Sequence, residues 1–319
     1  MTILAITEED DEHLPFVQRH LDEEITIINP YKVSRGQATL TLAHKNGQQS
    51  LTYGNVTISD VRSVWYRKPP KLELDKLDII DEYRTYVTSA INRHVKLIKS
   101  LCQDAFWLSD FYNIQRAGSK DYQLSLASSI GFNVPSTILT SDPRAAKEFL
   151  KIYRPAIVKS LSSEFPGTET SLSFFFAKKI TDPESISLTN LHLAPAIFQE
   201  AIDAVMDLRI TVVGDKVFAA SIESDSEKRH KGVRDWRFEY RHGGNLFKPY
   251  NLDVTTKKRC VELVERLGLR YGAIDLLVDR TGKVWFLEIN PNGQWAFVEE
   301  DTDLPIGKTI AGVLSSGRV

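Results

Sequence analysis

The sequence predicts a mixed α/β (α+β) protein with more than one domain. Its 319 residues are 42% hydrophobic and 26% charged, an ordinary globular composition with room for two or three compact domains. Short apolar runs alternate with segments whose apolar residues recur at helical spacing. Dipeptides typical of tight turns separate several of the apolar runs, which adds antiparallel hairpins to the predicted fold.

The overall composition excludes several classes of protein. Lys and Arg number 40 against 42 Asp and Glu, so no nucleic-acid-binding face is expected. Cys102 and Cys260 lie in helix-like apolar patterns, which favours buried free thiols and a reducing compartment. No run reaches the roughly 18 apolar residues of a membrane helix, and we see no export signal. We therefore expect a soluble, cytoplasmic protein with no membrane partner.

The first third of the chain predicts an α/β unit. Strands are expected near residues 2–7 and 24–29, followed by a hairpin whose tight turn uses Asn46 and Gly47. The segment VRSVWYRKPP predicts a buried strand that runs into a loop rich in basic residues and proline. A long helix follows, because these apolar residues share one face: Tyr83, Val87, Ala90, Ile91, Ile98 and Leu101.

Helix-capping residues mark the elements of the middle region. Ser119 and Gly131 bound one predicted helix, and Asp142 with Pro143 opens the next. The other elements predicted after residue 150 are strands at PAIVKS and APAIFQEAI, a hairpin that turns at Gly214 and Asp215, and a helix that ends at Gly268.

The segment GAIDLLVDRTGKVWFLEINP predicts a hairpin that carries a metal site. Counting outward from a turn centred on Thr281 and Gly282 places Asp275 opposite Glu288, where side chains stand about 4.5–5.5 Å apart. Asn290 shares the face of Glu288, because strand side chains alternate. Two opposed carboxylates repel unless a cation lies between them, and such oxygen ligands suit Mg²⁺. The alternative is a solvated sheet face on which Lys or Arg partners neutralise both acids.

Two lysines fit a nucleotide that would share this metal. Lys159 ends the apolar run PAIVK, and Lys120 opens a helix directly after Ser119. Mg²⁺ held by one or two carboxylates commonly also binds nucleotide phosphates, which lysines can contact. Taken alone, either lysine is more often a solvated surface charge.

In chain order these residues resemble an ATP-grasp ligase over about residues 110–319. The resemblance implies an N-terminal pre-ATP-grasp domain at 1–112 and an ATP-grasp domain at 113–319, with subdomains at 113–196 and 197–319. The motifs that carry the resemblance are Lys120, Lys159, FQEAI, Asp207 with Arg209, Arg237, Asp275 and the tripeptide EIN at 288–290.

The resemblance to the RimK-type and microviridin-type branches implies a role for each of these residues. Asp275, Glu288 and Asn290 would hold Mg²⁺, and Arg209 and Arg237 would be catalytic. The residues implied to bind ATP are Lys120 and Lys159 at the phosphates, Gln199, Glu200 and Ile202 at the adenine, and Glu200 or Asp207 at the sugar. One departure concerns the loop after Lys159, which contains only Gly167 where many ATP-grasp enzymes have a glycine-rich loop.

Two motifs resemble the maturases of microviridin-type peptides, also called graspetide macrocyclases. They are VWYRKP at 64–69 and EINPNGQWAFVE at 288–299. The resemblance implies that ATP activates Asp or Glu side chains of a ribosomal precursor peptide, and that ester or amide rings then close. It also implies a leader-docking surface on the N-terminal domain and a homodimer.

Two other functions stay open at this point. One is a RimK-type ligase that adds amino acids to a carboxylate on a protein or a small molecule. The other is a nucleotide-binding regulatory module that has lost turnover, against which the complete set of three metal ligands argues.

Overall fold

The structure, a computed structural model, describes residues 2–58, 60–67, 79–161, 178–223 and 247–318. Within these ranges the chain forms four β-sheets flanked by helices, which confirms the predicted mixed α/β class. No helix in the described ranges combines the length and the apolar character needed to cross a membrane. Cys102 and Cys260 are buried free thiols, as predicted.

The N-terminal part contains a parallel sheet and a small antiparallel sheet. The parallel sheet has the order β2-β1-β6-β7, and the small sheet has the order β3-β4-β5. Asn46 and Gly47 take positive φ angles of 52° and 77°, as the predicted hairpin turn requires. In chain order the elements are β1 (Thr2–Ile6), α1 (Leu14–Gln18), β2 (Thr26–Ile28), α2 (Pro30–Ser34), β3 (Leu40–Lys45), β4 (Gln48–Tyr53), β5 (Val56–Ile58), β6 (Val61–Tyr66), a 3₁₀ helix (Asp81–Tyr83), α3 (Arg84–Leu101), β7 (Phe106–Trp107) and α4 (Phe111–Ala117).

A four-stranded antiparallel sheet with the order β10-β9-β11-β8 forms the middle of the chain. The predicted helix ends are confirmed, since Gly131 closes the first helix at φ 97° and the Asp142 carboxylate accepts from the Arg144 backbone N–H. The elements are α5 (Lys120–Ile130), β8 (Thr137–Thr140), α6 (Pro143–Ile152), β9 (Ala156–Ser160), β10 (Lys178–Ile180), a 3₁₀ helix (Pro183–Ser185) and β11 (Ala196–Glu200).

A five-stranded antiparallel sheet, which we call the C-terminal sheet, has the order β14-β13-β12-β15-β16. The hairpin at Gly214 and Asp215 forms as predicted, with Val213 opposite Lys216. The elements are β12 (Ala204–Val213), β13 (Lys216–Glu223), β14 (Lys248–Pro249), α7 (Val254–Arg266), β15 (Tyr271–Asp279), β16 (Val284–Asn290), α8 (Ala296–Thr302) and α9 (Ile306–Ser316).

The C-terminal sheet and the N-terminal sheet share a hydrophobic core. One buried cluster contains Ile3 and Trp65 from the N-terminal sheet together with Val213 from β12 and Ile310 from α9. The hydroxyl of Ser63 on β6 also donates to the Leu314 carbonyl of α9 at 2.8 Å. The two ends of the chain therefore fold together, while the predicted domain boundaries stay predictions.

Candidate functional site

One face of the C-terminal sheet is apolar and the other carries the predicted site residues. Leu208 and Ile210 of β12 enter the core that also contains α5 and α7, together with Ile274 of β15. Since strand side chains alternate, Arg209 and Asp275 point to the opposite face. The alternation thus places charged side chains on one face of a sheet whose other face packs against α5 and α7.

Three of the predicted residues stand in one row across three neighbouring strands. Asp275 of the central strand β15 is the partner of Arg209 on β12 and of Glu288 on β16. The pairing of Asp275 with Glu288 confirms the register predicted from the sequence. A cation and two carboxylates consequently lie side by side on one sheet face.

The turn that leads to this pairing differs from the predicted one. Val278 pairs with Val284, so the turn is not centred between Thr281 and Gly282. A register shift between Asp275 and Leu276 then restores the predicted pairing further along the hairpin. Such a bulge places two residues of one strand opposite one of its partner, here on the β16 side, and it offsets the error in the predicted turn.

Both candidate carboxylates have a cationic partner within the chain. Arg209 Nη1 lies 2.8 Å from Asp275 Oδ1, and the two side chains are only 5% and 11% exposed. Lys120 Nζ lies 3.5 Å from Glu288 Oε2, and these side chains are 35% and 25% exposed. The first pair is a fixed part of the interior, whereas the second is accessible and longer than a strong ion pair.

Helix α5 is docked against the end of β16 by one buried glutamine. Gln123 Nε2 donates to the Ile289 carbonyl at 2.9 Å, and the Ile289 N–H donates to Gln123 Oε1 at 3.0 Å. The Gln123 amide thus satisfies the backbone N–H and carbonyl of Ile289 on the edge strand β16, as a further strand would. It also fixes Lys120, one helical turn away, beside Glu288. Sequence reasoning missed Gln123, although its position three residues after Lys120 on the same helix was visible.

The loop that follows Asn290 folds tightly over the site. The Asn292 N–H donates to Asn290 Oδ1 at 3.0 Å, which orients the amide of the third predicted metal ligand. A Cβ on Gly293 would lie 2.4 Å from the Ala273 Cβ and 2.7 Å from Arg209 Nη2. The close approach of this loop to the sheet therefore requires glycine at position 293.

The donor set suits a hard cation. Asp275 and Glu288 supply carboxylate oxygens and Asn290 an amide oxygen, on one end of one hairpin. In the described part of the chain, no group of three or more His, Cys, Asp or Glu side chains is arranged to hold a metal. The candidate site thus has two carboxylates and an amide, a set that fits Mg²⁺ sharing its coordination with phosphate oxygens.

Lys159 and Gln199 lie together on the middle sheet. Lys159 Nζ donates to Gln199 Oε1 at 2.9 Å, and Gln199 Nε2 donates to the Thr137 hydroxyl at 3.0 Å. Gln199 is buried and Lys159 is half-buried. The lysine is therefore held by neighbours on its own sheet and is not a freely solvated surface charge.

The residues predicted at the adenine and the sugar follow β11. The Glu200 carboxylate accepts from the Ser136 backbone N–H at 3.2 Å, and Asp207 is half-buried two residues before Arg209. Ile202 is buried in a small cluster with Ala204 and Leu277, against which Trp285 and Leu287 pack. Ile202 thus lies in a buried apolar cluster, and the contacts of these residues with the adenine and the sugar stay predictions.

Several of the sequence predictions fall outside the described residues. They concern Arg237, implied to be catalytic, most of the loop after Lys159 with its single glycine, and the basic and proline-rich loop after residue 67. The roles of Arg209 and Arg237 both stay predictions. The contacts of Arg209, to Asp275 and to the Gln294 carbonyl at 2.9 Å, support a positioning role.

Comparison with known families identifies the fold. The family model of the RimK-like ATP-grasp domain matches residues 117–314, more than half of the chain. The chain belongs to the RimK-like ATP-grasp family. This confirms the resemblance noted from the order of lysines, arginines and metal-ligand residues, and all the described site residues lie within the matched range.

Solved structures of ATP-grasp enzymes resemble this chain from end to end. A RiPP-associated ATP-grasp ligase from Chryseobacterium gregarium, in complex with ADP and a leader and core peptide, has a TM-score of 0.88 at 26% identity, with 100% of this chain and 98% of that chain covered. The macrocyclase MdnC from Microcystis aeruginosa MRC, bound with the precursor peptide MdnA, has a TM-score of 0.81 at 27% identity, covering 99% and 100%.

The same fold extends to a solved structure of lower sequence identity. The D-cycloserine synthetase DcsG, at 13% identity and a TM-score of 0.59 over 100% of both chains, shares the fold alone. No curated protein matches the chain by sequence. The likeness to the two ligases above 25% identity therefore carries the functional argument.

Proposed function

We propose that this ATP-grasp protein is an ATP-dependent ligase that closes ester or amide macrocycles within a ribosomal precursor peptide. The observation that carries the proposal is the full-length likeness to two ligases solved with a precursor peptide or with leader and core peptides. That likeness includes the N-terminal residues that precede the ATP-grasp match at 117–314.

The nucleotide would lie between the middle sheet and the C-terminal sheet. We assign Lys159 and Lys120 to the phosphates, because neighbouring side chains hold both lysines and neither is fully buried. Gln199, Glu200 and Ile202 would contact the adenine, and Glu200 or Asp207 the sugar. The buried apolar cluster around Ile202 supports the first of these assignments.

The metal would be held by Asp275, Glu288 and Asn290. When bound, Mg²⁺ would neutralise phosphate charge and so favour phosphoryl transfer. Lys120 Nζ lies 3.5 Å from Glu288 Oε2, and a bound cation would take over the neutralisation of Glu288 and leave the ammonium to contact a phosphate. Arg209 keeps Asp275 in place through their buried ion pair, which is shielded from solvent.

The chemistry would run in two balanced steps. A carboxylate oxygen of an Asp or Glu in the peptide attacks the γ-phosphorus of ATP, and ADP leaves. A Ser or Thr hydroxyl, or a Lys amine, of the same peptide then attacks the acyl carbon, phosphate leaves, and the nucleophile loses its proton. Each ring closure therefore removes one water from the peptide. The protein mainly positions the reacting groups and stabilises the charge that develops on them.

Mass spectrometry of a precursor peptide tests the proposal directly. The purified protein would be incubated with ATP, Mg²⁺ and a candidate precursor peptide. This peptide would carry clusters of Thr and of Asp or Glu and would be encoded next to the gene of the protein. The proposal expects one ADP released and one water lost per ring. Gain of an amino-acid residue would instead identify a RimK-type ligase, and absence of ADP release would identify a regulatory module.

We further infer a cytoplasmic location, where ATP and ribosomal peptides are made. Two buried thiols without a disulfide support a reducing compartment. The homodimer expected from the resemblance stays a prediction, which light scattering of the purified chain would test.

A further inference from the structure

Three side chains of the N-terminal part form a buried cluster that the proposed chemistry does not use. We call Asp11, His13 and Arg67 the N-terminal clamp; their side chains are 10%, 1% and 3% exposed. The His13 Nδ1 atom lies 2.7 Å from Asp11 Oδ1, and Arg67 Nε lies 3.5 Å from Asp11 Oδ2. Arg67 Nη2 lies 2.9 Å from His13 Nδ1 and 3.1 Å from His13 Nε2, the ring nitrogen that can accept its hydrogen bond. A charged guanidinium this deeply buried needs an organised set of partners.

The N-terminal clamp holds the loop that follows Asn290. Arg67 Nη1 donates to the Asn292 carbonyl at 3.0 Å and lies 3.4 Å from the Gly293 carbonyl. The Trp295 backbone N–H donates to His13 Nε2 at 3.0 Å. Because Nε2 accepts this bond, the proton of the neutral ring lies on Nδ1, where it is donated to Asp11.

A short chain of hydrogen bonds links Arg67 to the third candidate metal ligand. Arg67 holds the carbonyl of Asn292, and the N–H of the same residue donates to Asn290 Oδ1 at 3.0 Å. From the sheet side, the Tyr271 hydroxyl donates to the Gly293 carbonyl at 2.6 Å. Burial raises the pKa of Tyr271 to about 12, so this donor keeps its proton. The loop is thus fixed from two sides.

We propose that Arg67 is a positioning residue for the metal site: through the N-terminal clamp it fixes the loop after β16 and thereby the amide oxygen of Asn290. The inference rests on the assignment of Asn290 as a metal ligand. It also explains the sequence VWYRKP, since Val64 and Trp65 are buried in the core and Arg67 leaves the strand end to reach the loop. Only a planar fork can reach a carboxylate, an imidazole and two carbonyls at once.

The substitution Arg67→Lys, with Arg62→Lys as its matched control, tests the inference. Arg62 lies on β6, the strand that directly precedes Arg67, and its guanidinium pairs with Glu23 instead of the loop. Hydrogen exchange of residues 288–296 in the nucleotide-free protein is expected to quicken in Arg67→Lys and to stay at the wild-type rate in Arg62→Lys. A second variant, His13→Phe, keeps a ring but has no acceptor for the Trp295 N–H, so it should quicken exchange in the same segment and test the N-terminal clamp if Arg67→Lys does not fold.

A second measurement separates positioning from simple loss of stability. The melting temperature with ADP is measured at increasing Mg²⁺ concentrations, and the Mg²⁺ midpoint is the concentration that gives half of the full rise. This midpoint should increase about tenfold in Arg67→Lys, as for other residues that orient metal ligands. Unchanged exchange and an unchanged Mg²⁺ midpoint in folded variants would overturn the positioning role alone. If Mg²⁺ does not change the melting temperature of the wild-type protein with ADP, the metal site is overturned, and this inference with it.

Discussion

At the scale of single residues, each carboxylate of the candidate metal site has a cationic partner. Arg209 and Asp275 form a buried pair, and removing either partner would leave an uncompensated charge in the interior. Lys120 and Glu288 are more exposed, so their contact contributes little to stability. The arrangement thus has the cationic partners of the alternative hypothesis, but Asp275 is buried and does not lie on a solvated face. It is compatible with a metal site whose cation displaces a weakly held lysine.

Lys159→Ala tests the nucleotide assignment. The ammonium supplies charge rather than core packing, so the variant should fold and should bind ATP with about 1.5–3 kcal/mol less free energy. That loss corresponds to an affinity lower by roughly tenfold to a hundredfold, measured by calorimetry. Lys179→Ala, an exposed lysine on the neighbouring strand β10, is the matched control. Equal affinity in a folded Lys159→Ala protein would return Lys159 to the class of structural polar residues.

The pKa of Asp11 predicts how the N-terminal clamp responds to acid. Burial alone would raise this pKa, but the hydrogen bond from His13 and the charge of Arg67 more than offset it and hold the pKa well below its usual 3.8. A carboxyl with a depressed folded-state pKa stabilises the fold above its unfolded pKa, and this stabilisation is lost as the pH falls through the folded value.

Asp11→Asn should therefore lower the free energy of unfolding at pH 7 by about 1.5–3 kcal/mol. The difference from wild type should shrink as the pH falls below the ordinary value of 3.8. Urea unfolding at a series of pH values measures both effects, with the exposed neighbour Asp10 changed to Asn as the control. A difference that stays constant down to the most acidic conditions would show that the Asp11 charge does not stabilise the clamp.

At the scale of elements, the β15–β16 hairpin shows what local pattern can predict. Counting outward from the predicted turn placed Asp275 opposite Glu288, and the structure has that pairing. The turn was placed wrongly, because a bulge inserts one residue between the turn and the site. Bulges depend on how a strand twists against its neighbours, and period-two counting contains no such information.

Gln123→Leu tests whether α5 completes the edge of the sheet. The variant keeps the size of the side chain but leaves the N–H and the carbonyl of Ile289 unsatisfied at a buried position. We expect a loss of about 2–6 kcal/mol in the free energy of unfolding, since each of the two groups costs about 1–3 kcal/mol. Gln115→Leu, on the exposed face of α4, is the control for added apolar surface. Denaturant unfolding that does not distinguish the two variants would exclude the docking role of Gln123.

At the scale of the whole molecule, the site depends on contacts between the two ends of the chain. Arg67 and the Asn292 carbonyl are 225 residues apart in sequence, and Arg209 and the Gln294 carbonyl are 85 apart. Hydrophobic periodicity and capping residues predicted most of the individual elements, and the order of motifs predicted the family. The N-terminal clamp could not be predicted, because no local pattern relates Asp11, His13 and Arg67 to the loop after Asn290.

The melting temperature of Glu288→Gln with and without Mg²⁺ tests the central claim, that the paired carboxylates of the hairpin hold the metal of an ATP-dependent ligase. Wild-type protein should melt at a higher temperature with ATP and Mg²⁺ than with ATP and a chelator, because binding to the folded state stabilises it. Glu288→Gln should lose this difference and ring closure together. Its ligand-free melting temperature should match wild type closely, since the half-exposed pair with Lys120 contributes about 0–1 kcal/mol. A variant that keeps the full Mg²⁺ effect and is clearly destabilised without ligand would contradict the account and make Glu288 a structural ion-pair residue.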